Sequence, residues 1–440
     1  MKLHDAATLD LPELVEELVS RTAAQMYEAI SGDEMTVAEA EERVVELCRA
    51  LGREILSAGL SERYGRQQGP RRPCACGAHQ RFEGYRTRTI MTLLGPIEYE
   101  RAYYRCPVCR TSRYLGEDTI GVDEYGCSLP AQEAMALVGC ELPFRCARDL
   151  LMRLTGLDVS TSVVRRVTEE HGARVERAAV REREALFAGE LELLPEGAPQ
   201  RLYVALDGLQ MPFVGDWHET KIGAVYEARV GEDGVDEPVA STYVCGAWEG
   251  AEQFGERLYQ EASRRGVERA GEVVVIADGA VWIWNLVAEH FPGAVQILDF
   301  FHAAERLHEV GRAVYGEGAS PARQWAEANK ERLWQGRVDS VLRSLRAVRA
   351  PTAEGREAVR LAVGYFETNR QRMDYPSYRA RGYHVGSGVV EAACKTVAAA
   401  RCKRSGMRWT KHGAQAVLNL RCLQLNARWD QYWKPLKTAA

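Results

Sequence analysis

Three apolar stretches of the chain each run directly into an aspartate. The segments RLYVAL, EVVVIA and AVQIL are followed by Asp207, Asp278 and Asp299. Continuously apolar runs of this length are typical of strands that are buried on both faces of a sheet. Carboxylate oxygens are hard ligands of the kind that Mg²⁺ prefers. Acids that follow neighbouring strands are therefore candidates for a metal-binding site.

The pattern between these acids predicts how their strands are arranged. A helical stretch, VWIWNLVAEH, lies between the strands that precede Asp278 and Asp299. The right-handed crossover rule makes two such strands parallel neighbours, and sites in open sheets form at the carboxyl ends of parallel strands. Two more strand-like stretches and a helix over about 251–265 follow Asp207, so the predicted order is strand, strand, strand, helix, strand, helix, strand.

A turn is the competing interpretation of two of these acids. Asp207 and Asp278 each precede a glycine, and Asp-Gly is the strongest hairpin signal, so either acid alone could be a turn residue. After Ala280, however, the chain follows the pattern of an amphipathic helix. A hairpin therefore does not explain Asp278.

A fourth acid, Glu391, lies in the segment GSGVVEAACK. Ser387 can cap a helix that carries Glu391 one turn in. Lys395 lies four residues further on, which is the favourable order for a surface ion pair on a helix. Glu391 is thus either a site residue or half of an exposed pair with Lys395.

Two pairs of cysteines have the spacing of metal-binding turns. Cys74 and Cys76 precede two alternating, strand-like segments, and Cys106 and Cys109 follow them. Two cysteine turns that bracket a hairpin are typical of a zinc ribbon, in which four ligands surround Zn²⁺ tetrahedrally. The first pair is C-x-C where C-x₂-C is usual, so His79 could replace one thiolate. Buried free cysteines are the alternative.

A helix pair between residues 128 and 174 has the layout of a helix-turn-helix. Gly156 ends one predicted helix, and Ser160 can cap the next. Such pairs also occur in proteins that never bind DNA. If this one does bind DNA, the start of its second helix faces the major groove, where we expect the readers to be Thr161, Ser162, Arg165 and Arg166.

A basic run follows Glu391 near the end of the chain. It holds five bases and no acid between residues 401 and 411, with one tryptophan among them. A run of this kind can bind the phosphates of a nucleic acid. A charged surface that contacts only solvent would have the same sequence pattern. The residues concerned are Arg401, Lys403, Arg404, Arg408, Trp409 and Lys411.

Composition bounds the remaining possibilities. The 440 residues are 46% hydrophobic and 27% charged, which excludes wholesale disorder and suggests about three domains. The net charge of −5 argues mildly against nucleic acid, but the charge is segregated along the chain. His4, Asp5 and Asp10 interrupt the apolar core of an export signal, and uncharged stretches are too short to span a membrane. We therefore expect a cytoplasmic protein with reduced cysteines.

Taken together, the motifs ALDG, IADGAVWIW, LDFFH and GSGVVEAACK resemble those of the DDE transposases of bacterial insertion sequences, in the branch called Kra-like. The resemblance extends over nearly the whole chain, including the cysteine turns and the helix pair. It implies a ribonuclease-H-like core in which Asp207, Asp278 and Glu391 hold two Mg²⁺ ions, with Mn²⁺ as a substitute. Asp207 would bridge the ions. Asp299 and His302 resemble an auxiliary Asp-x-x-His motif, for which a histidine packed at a helix start is the alternative.

The expected fold is multidomain α+β. It comprises an N-terminal helical region (1–62), a zinc-ribbon module (63–122), a helix-turn-helix region (123–190) and the first part of an α/β ribonuclease-H-like core (191–302). An all-α insertion (303–380) and a core completion with the glutamate helix and a basic helix (381–440) follow. The long helical stretch before Glu391 resembles the insertion of related transposases.

The resemblance implies an enzyme that binds the terminal repeats of an insertion sequence and catalyses metal-dependent cleavage and strand transfer of double-stranded DNA, as a homo-oligomer on DNA. A domesticated DNA-binding regulator would have lost an acid, and all three are present. A non-transposing nuclease of the same fold would share the acids but would not need a helix-turn-helix.

Overall fold

The computed structural model describes residues 10–31, 35–117, 121–123, 126–193, 197–232 and 234–439. His4 and Asp5, which argue against export, lie outside these residues. The described chain is a mixed α and β protein with two sheets, in agreement with the predicted multidomain α+β class. It divides into two compact units. One holds the described residues up to Thr168 and those from Trp429 onward, and the other extends from Glu169 to Arg428.

The first unit begins with the predicted pair of helices, α1 (Leu11–Ile30) and α2 (Val37–Gly65). Each starts with a capping box, in which the first side chain accepts a hydrogen bond from a backbone N–H and a glutamate returns one. Asp10 pairs with Glu13 in this way, and Thr36 pairs with Glu39. These local signals explain why the helices begin where they do.

An antiparallel sheet of four strands follows, in the order of the chain. Its long central hairpin has the two alternating segments predicted between the cysteine pairs. Aromatic and aliphatic side chains from the hairpin and from α2 form its core, which includes Tyr64, Ile90, Tyr99 and Tyr104. The strands are β1 (Arg71–Pro73), β2 (His79–Thr92), β3 (Gly95–Arg105) and β4 (Ser112–Tyr114).

Three helices come next in the chain: α3 (Leu129–Glu141), α4 (Phe144–Thr155) and α5 (Thr161–Phe187). Their shared core includes Met135, Leu151 and Val164, one from each helix. The predicted helix pair is α4 and α5. The charged segment after Arg174 continues α5 as far as Phe187.

The second unit is built on a five-stranded mixed sheet with the order β7-β6-β5-β8-β9. The first three strands form an antiparallel meander, and β8 and β9 run parallel to β5. The predicted succession of strands and helices is confirmed. The strands are β5 (Arg201–Pro212), β6 (Trp217–Val230), β7 (Asp236–Ala247), β8 (Glu272–Ala277) and β9 (Val295–Leu298).

The other elements of this unit are helical, and the predicted helical stretch after Asp299 is confirmed. The helices are α6 (Ala251–Arg264), α7 (Val281–His290), α8 (Phe300–Tyr315), α9 (Ser320–Trp334), α10 (Val338–Ala347), α11 (Ala353–Thr368), α12 (Tyr375–Ala380), α13 (Gly388–Ala393), α14 (Ala400–Cys402) and α15 (Lys411–Leu425). A π-helical segment, Cys394–Ala399, joins α13 to α14. The last helix, α16 (Trp429–Ala439), belongs to the first unit.

Candidate functional site

The three aspartates lie side by side at one edge of the mixed sheet. The last paired residues of β5, β8 and β9 are Leu206, Ala277 and Leu298, which face one another across the parallel ladders. The next residue in each case is the aspartate. Neighbouring strands lie about 4.8 Å apart, so this register brings the backbones of the three aspartates to the same level at the ends of the parallel ladders.

Asp207 lies within a strand and not at its end. The parallel pairing of β5 stops at Leu206 because β8 ends there, but β5 continues to Pro212 as a partner of β6. Asp207 and Gly208 both pair in this antiparallel ladder, opposite Ile222 and Lys221. The Asp-Gly turn interpretation of Asp207 is therefore wrong, because the continuing strand β6 keeps this part of β5 extended.

Asp278 sits in a tight turn between β8 and α7. Its carboxylate accepts a hydrogen bond from the backbone N–H of Ala280 at 3.0 Å. The hydroxyl of Tyr365, on α11, donates to the backbone carbonyl of Asp278 at 2.8 Å. The helical stretch that the sequence suggests is an insertion thus supplies a side chain that fixes this turn.

Asp299 connects the sheet to the segment that carries Glu391. The Asp299 side chain is fully buried, and its carboxylate accepts hydrogen bonds from the backbone N–H groups of His302, at 2.9 Å, and of Ser387. Ser387 precedes α13, as predicted, but its hydroxyl caps no backbone group and donates instead to the carboxylate of Glu391 at 3.3 Å. Among the ion pairs of the described residues, none joins Glu391 to Lys395.

One group of side chains at this edge is close enough to share a metal ion. The ligand atoms of Asp299, His302 and Glu391 all lie within 4.8 Å of one another, whereas Asp207 and Asp278 are not part of this group. Nδ1 of His302 is 3.6 Å from the Asp299 carboxylate. That neighbour, together with the charges of Glu391 and Asp278, raises the pKa of His302 to about 9. At neutral pH the imidazole is therefore protonated and offsets part of the negative charge.

Asp207 has a neighbour that the sequence motifs did not identify. The thiol of Cys394 donates to the Asp207 carboxylate at 3.3 Å, and the N–H of Gly208 donates to its other oxygen at 2.7 Å. Burial raises the pKa of Asp207, and the charge of Asp278 adds to this effect, while both hydrogen bonds oppose it. Burial and the same carboxylate raise the pKa of the Cys394 thiol. The thiol is therefore protonated at neutral pH and able to donate.

Helical spacing explains how Cys394 reaches the site. Glu391 and Cys394 are three residues apart, and residues at this spacing lie on the same face of a helix. The π-helical segment begins at Cys394, and single π-helical turns of this kind occur frequently at functional sites. This spacing was visible in the sequence and could have identified Cys394. The bond from the Ser387 backbone to Asp299 and the bond from Tyr365 to Asp278 had no local signal, because each joins distant segments.

The four cysteines of the first unit come together at one end of the antiparallel sheet. Sγ of Cys74 lies 3.5 Å from that of Cys109, and Sγ of Cys76 lies 3.7 Å from that of Cys106. All four sulfurs lie within 4.8 Å of one another. His79 pairs with Pro73 at the start of β2, is exposed, and is not part of the group. The cysteines alone therefore make a complete set of four ligands.

The sulfur separations fit a tetrahedral metal ion. Four thiolates at about 2.3 Å from Zn²⁺ would lie about 3.8 Å apart, close to the distances observed. A hydrogen bond from Thr111, together with the neighbouring sulfurs, lowers the pKa of Cys109 to about 6, whereas the neighbouring sulfurs raise the pKa of Cys76 to about 11, so Cys109 loses its proton first. The described chain contains no disulfide, and all twelve cysteines are free.

The start of α5 has the geometry predicted for the second helix of the pair. Gly156 ends α4 with a left-handed φ of 72°, and Ser160 caps α5 by accepting a hydrogen bond from the N–H of Val163 at 3.2 Å. Buried Val164 and Val167 pack into the three-helix core. Of the proposed reading residues, Thr161 is half-buried, and the exposed ones are Ser162, Arg165 and Arg166.

The basic run divides into exposed and buried residues. Arg401 is 1% exposed and lies over the ring of Trp409, which is itself buried. The Trp409 indole donates to the carbonyl of Cys402, and its backbone bonds to β5 and to the turn after it. Burial makes Arg401 and Trp409 packing residues and removes them from any phosphate-binding surface. The exposed members of the run are Lys403, Arg404, Arg408 and Lys411.

The fold and these sites define a multidomain α+β protein with a carboxylate cluster at the edge of a mixed sheet and a four-cysteine cluster in a separate unit. The profile of the uncharacterised protein family UPF0236 matches residues 30–431, so the chain belongs to this family. A search of curated proteins found no match. Over the described part of the chain, no helix combines the length and the apolar character needed to cross a membrane.

Proposed function

We propose that this protein is a DDE-type DNA transposase of the Kra-like branch, which binds the ends of an insertion sequence and catalyses metal-dependent strand cleavage and strand transfer. The observation that carries the proposal is the register of Asp207, Asp278 and Asp299 at one sheet edge. Glu391 is linked to this edge through Ser387 and Asp299. Carboxylates that lie near one another repel, and a bound cation would offset that repulsion.

The proposed metal ligands are Asp207, Asp278 and Glu391. Their donor atoms are hard oxygens, which suit Mg²⁺ or Mn²⁺. Two such ions, when bound, would stabilise the attacking and leaving oxygens of a phosphodiester during displacement. Each of the three carboxylates is held by hydrogen bonds before any metal binds. Asp207 accepts from Gly208 and Cys394, Asp278 from Ala280, and Glu391 from Ser387.

Asp299 and His302 have supporting roles in this proposal. Asp299 accepts the backbone N–H groups of His302 and Ser387, so we assign it the role of positioning α13 and the imidazole beside the proposed ligands. The imidazole of His302 lies beside the carboxylates, where a ring N–H can donate a hydrogen bond to a phosphate oxygen. His302 would thus orient the strand that is cut.

DNA contacts are assigned to two surfaces. Ser162, Arg165 and Arg166 at the start of α5 would read base edges, and the exposed bases after α14 would contact phosphates. The four cysteines would hold one structural Zn²⁺. We propose that the protein acts as a homo-oligomer on double-stranded DNA, as the resemblance to transposases implies.

Cleavage of end-bearing DNA tests the proposal. The substrate is duplex DNA from either flank of the gene, with Mg²⁺ or Mn²⁺ as the cation. We expect Asp207→Asn and Asp278→Asn to reduce strand cleavage by at least about 10³-fold, because each removes a charged metal ligand. Asp339→Asn is the matched control, since Asp339 is an exposed acid paired with Arg370 in the same unit. Equal cleavage by the two site variants and wild type would contradict the proposal.

A binding assay separates base reading from phosphate contacts. Replacing Arg165 and Arg166 by Ala should lower the preference for end DNA over random DNA by about 1–3 kcal/mol for each base that an arginine reads. Replacing Lys403, Arg404 and Arg408 by Gln should weaken binding to both duplexes equally. An unchanged preference in the Arg165 and Arg166 variant would mean that the helix pair only packs.

A further inference from the structure

A cleft in the first unit lies between the end of α2 and the four-stranded sheet, next to the cysteine cluster, and Cys74 is among its lining residues. Its volume is about 720 Å³. Arginines line it on three sides: Arg63 from α2, Arg72 from β1 and Arg113 from β4. Glu117 is the one acid among the described lining residues, and its carboxylate faces the backbone N–H of Tyr114 at 3.3 Å. The charged residues that line the cleft are therefore mainly basic.

The charge of the surrounding segment is unusual for this chain. Residues 63–117 contain eleven arginines, no lysine and four glutamates, a net charge of +7 in a protein whose total is −5. Eight of these arginines are exposed, and Arg66 is paired with Glu62. Packing does not require such a concentration of like charge, which costs stability through self-repulsion. A polyanionic ligand would offset that repulsion.

Tyrosine rings fix two of the guanidinium groups that face the cleft. Arg63 lies 5.4 Å from the ring centre of Tyr64, and Arg72 lies 5.4 Å from that of Tyr104. A guanidinium held over a ring keeps its edge N–H groups available, and these match phosphate oxygens in geometry. Arginine and not lysine is the residue expected for this kind of recognition.

Hydrogen bonds keep the walls of the cleft in place. The Tyr104 hydroxyl donates to the carbonyl of Gly69 at 3.1 Å and accepts from the N–H of Gln68 at 3.0 Å, so the loop after α2 is tied to the sheet. On the opposite wall, Leu115 is buried in the core of the sheet. The cleft is therefore preformed, and little ordering cost accompanies binding.

We propose that this cleft binds the phosphodiester backbone of DNA, without reading bases, as a third contact besides α5 and the basic run. The inference rests on the proposed function for the choice of DNA among polyanions. The arginines of the four-stranded sheet would bind phosphates, whereas the cysteine cluster next to them would only stabilise the fold.

Salt-dependent binding of the full-length protein to a random duplex tests this proposal. The test variant replaces Arg63, Arg72 and Arg113 by Gln. A control variant replaces two exposed arginines of the same unit, Arg21 and Arg43, by Gln; both are paired with glutamates. Measurements use neither Mg²⁺ nor chelator, so cleavage plays no part and zinc is retained. The slope of log affinity against log salt should decrease by about two to three units in the test variant and stay unchanged in the control.

A second variant covers the case in which the triple replacement disturbs folding. Replacing the same three arginines by Lys keeps the charge, and it should retain most of the slope while weakening affinity, because the planar fork is absent. Zinc content and far-ultraviolet circular dichroism verify the fold of each variant. An unchanged slope in a folded Gln variant would overturn the proposal. Competition by polyglutamate as strong as that by DNA of equal charge would also overturn it, in favour of an acidic polypeptide. Loss of cleavage activity alone would bear on the carboxylate site and not on this cleft.

Discussion

Gly279 offers a sharp test of how the Asp278 turn is built. Its φ of +98° lies in the left-handed region, and a Cβ at this position would lie 2.8 Å from both Leu298 Cδ1 and Tyr365 Cε2. Carbon atoms in contact normally lie about 3.5–4.0 Å apart. The Gly279→Ala variant therefore combines a backbone penalty of about 1–2 kcal/mol with an overpacking penalty of about 1–3 kcal/mol. We expect the free energy of unfolding to fall by about 2–5 kcal/mol.

Gly293→Ala is the matched control for this variant. Gly293 has a similar φ of +84° in the same unit, but no atom lies within 4 Å of the position of an added Cβ. It should therefore show only the backbone part of the penalty, about 1–2 kcal/mol. Urea unfolding followed by tryptophan fluorescence compares the two, since Trp282 and Trp284 lie next to the Asp278 turn. Equal destabilisation in the two variants would refute the claim that Leu298 and Tyr365 close over this turn.

Three more predictions concern single groups. Cys394→Val should weaken Mn²⁺ binding several-fold, because Asp207 then lacks a hydrogen bond. Cys394→Ser keeps a donor and should bind Mn²⁺ as wild type does. Equal Mn²⁺ affinity in the two variants would exclude a positioning role for Cys394. Burial lowers the pKa of His384 from 6.5 to about 4. Between pH 6.5 and pH 4 the histidine is therefore protonated in the unfolded state and neutral in the folded state, so the free energy of unfolding falls as the pH falls through this range. The free energy of unfolding, measured by urea unfolding at pH 7 and pH 5, should decrease by about 2 kcal/mol less in His384→Gln than in wild type. Elemental analysis should find about one Zn²⁺ per chain in wild type and in His79→Ala, but little in Cys106→Ser; absence of zinc from His79→Ala would place that histidine among the ligands.

The strands and their acids could be predicted because the information is local. Unbroken apolar runs end at Leu206, Ala277 and Leu298, and the crossover rule orders two of the strands. The four cysteines were likewise predictable from their spacing. The sequence could not show that β5 continues beyond Asp207, because that depends on pairing with β6, which is a long-range interaction.

Burial was the property that the sequence revealed least well. Arg401 belongs to a basic run that has every local sign of an exposed surface, yet it packs against Trp409 in the interior. A charge pattern does not show which side chains the tertiary fold covers. The link from Asp299 through Ser387 to Glu391 was hidden for the same reason, since it joins residues about ninety positions apart.

The most direct test of the proposed two-metal centre is the number of Mn²⁺ ions bound at the carboxylate cluster in the presence of end DNA, measured by electron paramagnetic resonance. We expect two ions per chain in wild type, and neither ion in Asp207→Asn, because Asp207 is the proposed bridging ligand. Lys395→Ala should still bind two ions, since Lys395 does not pair with Glu391 among the described residues. Unchanged Mn²⁺ binding in Asp207→Asn would contradict the proposal that these carboxylates form a two-metal centre.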